Sequence, residues 1–234
     1  MKNRVILSFV ALLAACGGGS GDPSTSNIYA QLFIRAEGSG QSRVMAILRL
    51  GGAESDSFLE LQDGDHLIAW QEGEFAPMQR REWRGMVSYD AYFTGDMANT
   101  GFKIEFKRTI DGGAPSSTVS LPFEFSVLTP APGTTFSRSG ETIMVTYAPS
   151  GSRDYVLVTI EGECIEPYSS GLAPDTGRFS ITANSIQLSD DASWDICTAT
   201  MEVALTRVGT ADPAYGGGYF YGQQVRTVAI NSGL

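Results

Sequence analysis

Apolar side chains in this chain recur every second residue, and nowhere in a sustained way every three or four. Phe102, Ile104 and Phe106 alternate with Lys103, Glu105 and Lys107, and Met201, Val203 and Leu205 alternate with Thr200, Glu202, Ala204 and Thr206. A period of two places one face of a segment in a core and the other in water, the pattern of a half-buried β-strand. Further strands are predicted at 29–35, 43–50, 57–62, 66–70, 86–94, 142–147, 155–162, 178–182 and 223–230. Turn residues separate them: Gly51-Gly52, Asp63-Gly64, Asp111-Gly112-Gly113, Pro149-Ser150-Gly151 and Asn231-Ser232-Gly233. Short strands at this spacing, with 27 glycines in 234 residues, specify an all-β sandwich or barrel.

The N-terminus has a different texture. Lys2 and Arg4 precede an apolar run from Val5 to Leu13 and then small residues, the three-part layout of a secretory signal. The run is too short to span a bilayer, which takes about 20 apolar residues. Leu13, Ala14, Ala15 and Cys16 resemble the lipobox of bacterial lipoproteins. That resemblance implies diacylglycerol on the Cys16 thiol, cleavage before Cys16 and acylation of the new amino group. Gly17, where an inner-membrane retention signal would place Asp, points by the same resemblance to the outer membrane. The expected organisation is a signal peptide over residues 1–15, a lipidated Cys16 with a Gly/Ser linker to Ser26, and two sandwiches at 27–121 and 122–234. A linker from Gly17 to Ser26 reaches roughly 17 Å. The cut near residue 122 rests on the only proline-dense stretch, Leu121-Pro122 to Pro130-Ala131-Pro132, with similar sets of strands on either side.

The second half resembles immunoglobulin-like or fibronectin type III-like sandwiches: Pro130-Ala131-Pro132-Gly133 follows a first strand, and Glu141 to Tyr147 reads as a strand B ending in an aromatic. The resemblance implies that 155–162 is strand C and 198–207 strand F, antiparallel neighbours. The fold expected is therefore all-β, with two antiparallel immunoglobulin-like sandwiches. Export also bears on the cysteines left after cleavage, Cys164 and Cys197, which are expected to form a disulfide in an oxidising compartment. The proposed topology brings the same two residues together, at the end of C and the start of F.

Removing the signal leaves 14 basic against 26 acidic side chains, about −12, which disfavours nucleic acid and anionic lipid as ligands. The chain has one histidine, His66, at a turn, and none of the GxSxG, HExxH, P-loop or dinucleotide motifs. No catalytic residue and no cofactor are expected. Glu161, Glu163 and Glu166 flank Cys164, and Asp190, Asp191 and Asp195 precede Cys197, so the disulfide would gather carboxylates; Glu163, Glu166, Asp190 and Asp191 are the calcium candidates. Two stretches read as contact loops. Arg80, Arg81, Trp83 and Arg84 combine the side chains favoured at binding hot spots. Tyr215, Tyr219 and Tyr221 lie in a glycine-rich stretch before the last strand, where tyrosines offer amphipathic contact area. The expected function is a membrane-anchored, non-enzymatic binding or structural lipoprotein of the cell envelope, contacting an envelope protein. The alternatives are a glycan-binding module using the exposed aromatics and, third, a carboxylate-based hydrolase.

Overall fold

The computed structural model describes residues 22–62, 64–148, 151–190 and 196–233; the expected signal peptide, Cys16, the residues 17–21 and Asp191 lie outside them. Apart from one 3-10 turn at Thr25–Asn27, the secondary structure is strand. The first half contains β1 (Ile28–Ala36), β2 (Gln41–Leu50), β3 (His66–Gln71), β4 (Glu74–Pro77), β5 (Gln79–Trp83), β6 (Met86–Thr94), β7 (Gly101–Lys107) and β8 (Ala114–Ser120). The second contains β9 (Ser126–Thr129), β10 (Thr135–Ser137), β11 (Ile143–Ala148), β12 (Tyr155–Gly162), β13 (Ile165–Ser169), β14 (Ala173–Pro174), β15 (Arg178–Ile181), β16 (Cys197–Val208) and β17 (Gly217–Gly233). Residues 57–62, expected as a strand, form a loop carrying one isolated bridge, Phe58 to Arg49. Its alternation reflects Leu59 and Leu61 packing on the core, not a ladder.

One ten-stranded sheet runs β13-β12-β16-β17-β1-β2-β6-β5, with β10 paired to β17 and β14 to β12. A four-stranded sheet, β4-β3-β7-β8, covers its first-half end, and a three-stranded sheet, β15-β11-β9, covers the other. Two cores result. The first buries Leu32, Ile34, Leu48, Ile104, Phe106 and Phe220, and the second Val145, Val158, Ile160, Met201 and Ile230. Tyr215 and Phe220, far beyond residue 122 in sequence, pack in the first core. Within the second sandwich, β11 pairs β15 and β9 on one side while β12, β16 and β17 pair in order on the other, the arrangement of an immunoglobulin-like sandwich. Gly162 at the end of β12 lies beside Ala199 near the start of β16, and the Cys164–Cys197 disulfide closes there with its Cα atoms 6.0 Å apart.

The strand β17 is the spine of the molecule. Its 17 residues extend about 55 Å. Its first residue pairs with Tyr29, and Ser232 near its end pairs with Cys197. The N-terminal segment and the disulfide therefore lie at opposite ends. At the N-terminal end, the expected linker stops earlier than Ser26, because Asp22 to Ser26 is docked. The fully buried Arg108 guanidinium binds the buried Asp65 carboxylate at 3.0 Å and Asp22 at 2.5 Å, and also donates to the Pro23 carbonyl. Asp111 accepts from the Thr25 amide and hydroxyl, each at 2.8 Å.

Two arginines tie the sandwiches together. Arg35 forks onto Glu202 at 3.0 and 2.7 Å. Arg207 forks onto Asp154 at 2.7 and 2.9 Å and donates to Asn99, Ser120 and the Leu121 carbonyl of the first half. Arg207→Ala strips the buried Asp154 of its partner and is expected to cost about 2 kcal/mol. Equilibrium urea unfolding checks it: the loss should appear together with separation of the single transition into two.

Candidate binding face on the outer side of the long sheet

Side chains at alternate positions of β5, β6, β2, β1 and the start of β17 point away from the first core. The register sets them in rows: Arg49, Tyr29 and Gly217; Ile47, Gln31 and Tyr219; Met45, Phe33 and Tyr221; Arg43, Arg35 and Gln223. At the outer edge, Arg81 lies opposite Ser88 and Trp83 opposite Met86. The two-residue turn between β5 and β6 has φ of 49° at Arg84 and 80° at Gly85, as a primed hairpin turn requires. Trp83 is 64% exposed, and the Arg84 guanidinium stacks over its ring at 4.6 Å.

The sequence-derived candidates thus fare differently. Arg80, Arg81, Trp83 and Arg84 are exposed, as expected of a contact site, but on an edge strand and its turn. Arg80 lies opposite Tyr89, on the other side of β5 from Arg81 and Trp83, and is held by Glu60 at 2.9 Å and Glu82 at 2.8 Å. The glycine-rich stretch expected as a flexible loop is strand from Gly217 onward. Tyr215 is buried in the first core, stacked on Phe106, and is removed from the contact set. Tyr219 and Tyr221 stack on each other at 4.5 Å, and Phe33 meets both edge-on at 5.4 and 6.2 Å. The facing sides of the two tyrosines are covered, and a coplanar platform for a sugar ring is not formed. Tyr29, Phe33, Arg43 and Arg49, which sequence reading did not single out, complete the face.

Toward the second sandwich the outer face becomes a trough of about 400 Å³, lined from five adjacent strands by Phe33, Arg35, Met45, Leu157, Glu202 and Gln223 among others. The Arg35–Glu202 pair lies within it. Glu161 and Thr200 are shared with a second hollow of about 520 Å³ beside Cys197 at the disulfide end. Among the described residues no three histidine, cysteine, aspartate or glutamate side chains converge as a metal site. The expected calcium set is thus not assembled there: Glu163, Glu166 and Asp190 are exposed, and Asp191 lies outside the described residues. His66 is exposed at the start of β3, in register with Lys107.

Burial raises the Tyr219 phenol to about 12, with the neighbouring Tyr221 and Tyr29 adding to it and Arg49 opposing. Burial likewise raises Tyr147, also to about 12, with Asp175 reinforcing it. The folded state retains protons that the unfolded chain releases near pH 10, so this contribution to stability is complete below pH 10 and lost as pH rises toward 12. Tyrosinate absorbance should therefore show part of the 9 tyrosines titrating late, and that late fraction should disappear in denaturant.

No protein-family model and no curated protein matches this chain. Among solved structures it is similar to a chain of the crystal structure of Dpr11 IG1 bound to DIP-gamma IG+IG2, at 6% identity over 87% of this chain and 98% of that one, with a TM-score of 0.23. It is similar to the titin domains z1z2 in complex with telethonin at 9% identity, covering 89% and 96%, with a TM-score of 0.24. For CBD12 from CALX1.2 the identity is 10%, the coverage 86% and 98%, and the TM-score 0.21. Scores this low carry no argument. The chain's own strand order defines its class: an all-β protein of two sandwiches joined through one shared sheet.

Proposed function

We propose that the chain is a lipid-anchored, extracytoplasmic binding protein of the cell envelope, without a catalytic role, whose contact surface is the outer face of the long sheet. The observation that carries the reading is the composition of that face: tyrosine, tryptophan, phenylalanine, methionine and arginine, with no lysine or glutamate at its outward positions in the first sandwich. Those are the side chains enriched at the cores of protein interfaces, and lysine and glutamate are depleted there. Anchoring through Cys16, at the outer membrane by the lipobox resemblance, fits the docked N-terminal segment. Five residues separate Cys16 from Asp22, a contour of about 20 Å, and the disulfide end would point away from the lipid.

The test is photo-crosslinking in the intact envelope of a Gram-negative host, with the reactive group at Phe33 or Met45 and a control at Thr118 on the opposite sheet. Partitioning of the native chain and of Cys16→Ser between membrane and soluble fractions is followed in parallel. A discrete envelope protein captured from Phe33 and Met45 but not Thr118, with membrane association lost in Cys16→Ser, is the expected result. Capture of glycan alone would replace this reading with the glycan-binding one. Equal labelling from all three positions would overturn the assigned face.

A further inference from the structure

The outer face of the first sandwich departs from the electrostatics of the rest of the chain. The whole sequence carries −10, yet the outward positions of β5, β6, β2 and β1 hold Arg35, Arg43, Arg49 and Arg81 against one acid, Asp90. Asp90 is buried and bound by Arg43 at 2.8 Å, so it presents no charge to a visitor. Arg35 is neutralised by Glu202. Arg49 is positioned by Gln31, the Ser55 carbonyl and the Phe58 ring, none of them a carboxylate. The Arg81 side chain is exposed and has no hydrogen bond or ion pair among the described residues. Of the two guanidiniums without carboxylates, Arg49 thus stands on β2 beside Tyr29, near Tyr219 and the aliphatic Ile47, while Arg81 lies two strands further out, opposite Ser88 at the edge of the same face.

We infer that this face binds an acidic protein segment, one that sets carboxylates on Arg49 and Arg81 and aliphatic side chains between the rings and in the trough beside Phe33. Carboxylates match the planar fork of arginine, and an acidic partner is complementary to this face while being repelled by the remainder of an acidic chain. The apolar lining favours protein over sugar because the stacked tyrosines cover one another's facing sides. Net negative charge opposes an anionic lipid surface. The inference rests on the binding role proposed above and adds the chemistry of the partner.

The probes are a synthetic peptide alternating leucine and glutamate, its leucine–lysine counterpart, and phosphatidylglycerol vesicles, each tested against the full mature chain carrying Cys16→Ser. The leucine–glutamate peptide should bind and should weaken with added salt. Arg49→Glu with Arg81→Glu should lower its affinity about tenfold or more. Lys103→Glu with Lys107→Glu makes the same charge change on the opposite sheet and should leave affinity unchanged. Arg81→Gln, at an exposed edge position, supplies the same test where the double variant is destabilised, and should cost a few-fold in affinity. Equal loss in the lysine variant, equal binding of the leucine–lysine peptide, binding of vesicles alone, or binding of no probe overturns the inference. If crosslinking from Phe33 still captures a partner in any of those cases, the binding role stands and only the acidic chemistry fails.

Discussion

Arg108→Met is expected to destabilise the first sandwich by about 3–5 kcal/mol and to release the N-terminal segment from the folded body. The Arg108 side chain has no solvent exposure, and that of Asp65 only 1%, so the pair is a buried one whose cation cannot be replaced by water at low cost. Removing the guanidinium leaves the Asp65 carboxylate with the Thr109 amide at 3.0 Å as its hydrogen-bond donor, and leaves Asp22 and Asp111 near each other without a cation between them. Asp65→Leu combined with Arg108→Met should cost less than Arg108→Met alone, because breaking a buried pair is worse than replacing both members. Urea unfolding followed through tryptophan fluorescence in a Trp194→Phe background reads the first sandwich, where the two remaining tryptophans, Trp70 and Trp83, both lie. Hydrogen exchange reads the second half of the prediction. The Thr25 amide, bonded to Asp111 at 2.8 Å, and the Asn27 amide, bonded to the Ser24 carbonyl at 2.9 Å, should lose protection well before the strands do. A variant as stable as the native chain would mean that Arg108 is held by the fold and contributes nothing to it.

The alternation that made the fold legible works only where a strand has one wet face. It located β7 and β16, and it gave β6 and β12 at their observed ends. It could not find β5, whose five residues are exposed on both sides, so no apolar period exists to be read. The opposite failure occurred at the start of β17. Glycines there resemble a flexible loop, yet a Cβ on Gly218 would lie 2.2 Å from the Ala30 carbonyl oxygen. Glycine is required by the close approach of β1, and the neighbouring tyrosines are held on a sheet. The same cause limited the reading of the site. Arg80 to Arg84 cluster in sequence and stood out for that reason. Arg35, Arg43 and Arg49 are gathered with Tyr219 and Tyr221 by the parallel register of β1 and β17 and the antiparallel register of β1 and β2. Nothing local in the sequence encodes a parallel pairing between the first strand and the last.

Replacing Cys164 and Cys197 together by alanine is expected to cost the second sandwich about 4 kcal/mol, on the chain-entropy estimate for a crosslink between residues 33 apart. The location makes the loss local. The closed loop contains β13, β14 and β15; β15 is an edge strand held by β11, and β13 is held by β12 and by a bridge from Ile165 to Leu188 within the same closed loop. Without the crosslink, ordering these short strands depends on those ladders and on Ile165, Ile181 and Ile186 in the second core. The transition of the second sandwich should move to lower urea and become separable from that of the first, whose core contains neither cysteine. In a Trp194→Phe background, tryptophan fluorescence from Trp70 and Trp83 should then lag behind far-ultraviolet circular dichroism, which reports both sandwiches. Combining the double alanine with Arg207→Ala sharpens the expectation, because Arg207 is one of the two arginine ties that would otherwise hold a weakened second sandwich to the first. Losses that add would place the crosslink and the arginine in independent units. A single transition that stays coincident in every variant would mean that the shared ten-stranded sheet enforces one cooperative unit from the docked N-terminus to the disulfide end.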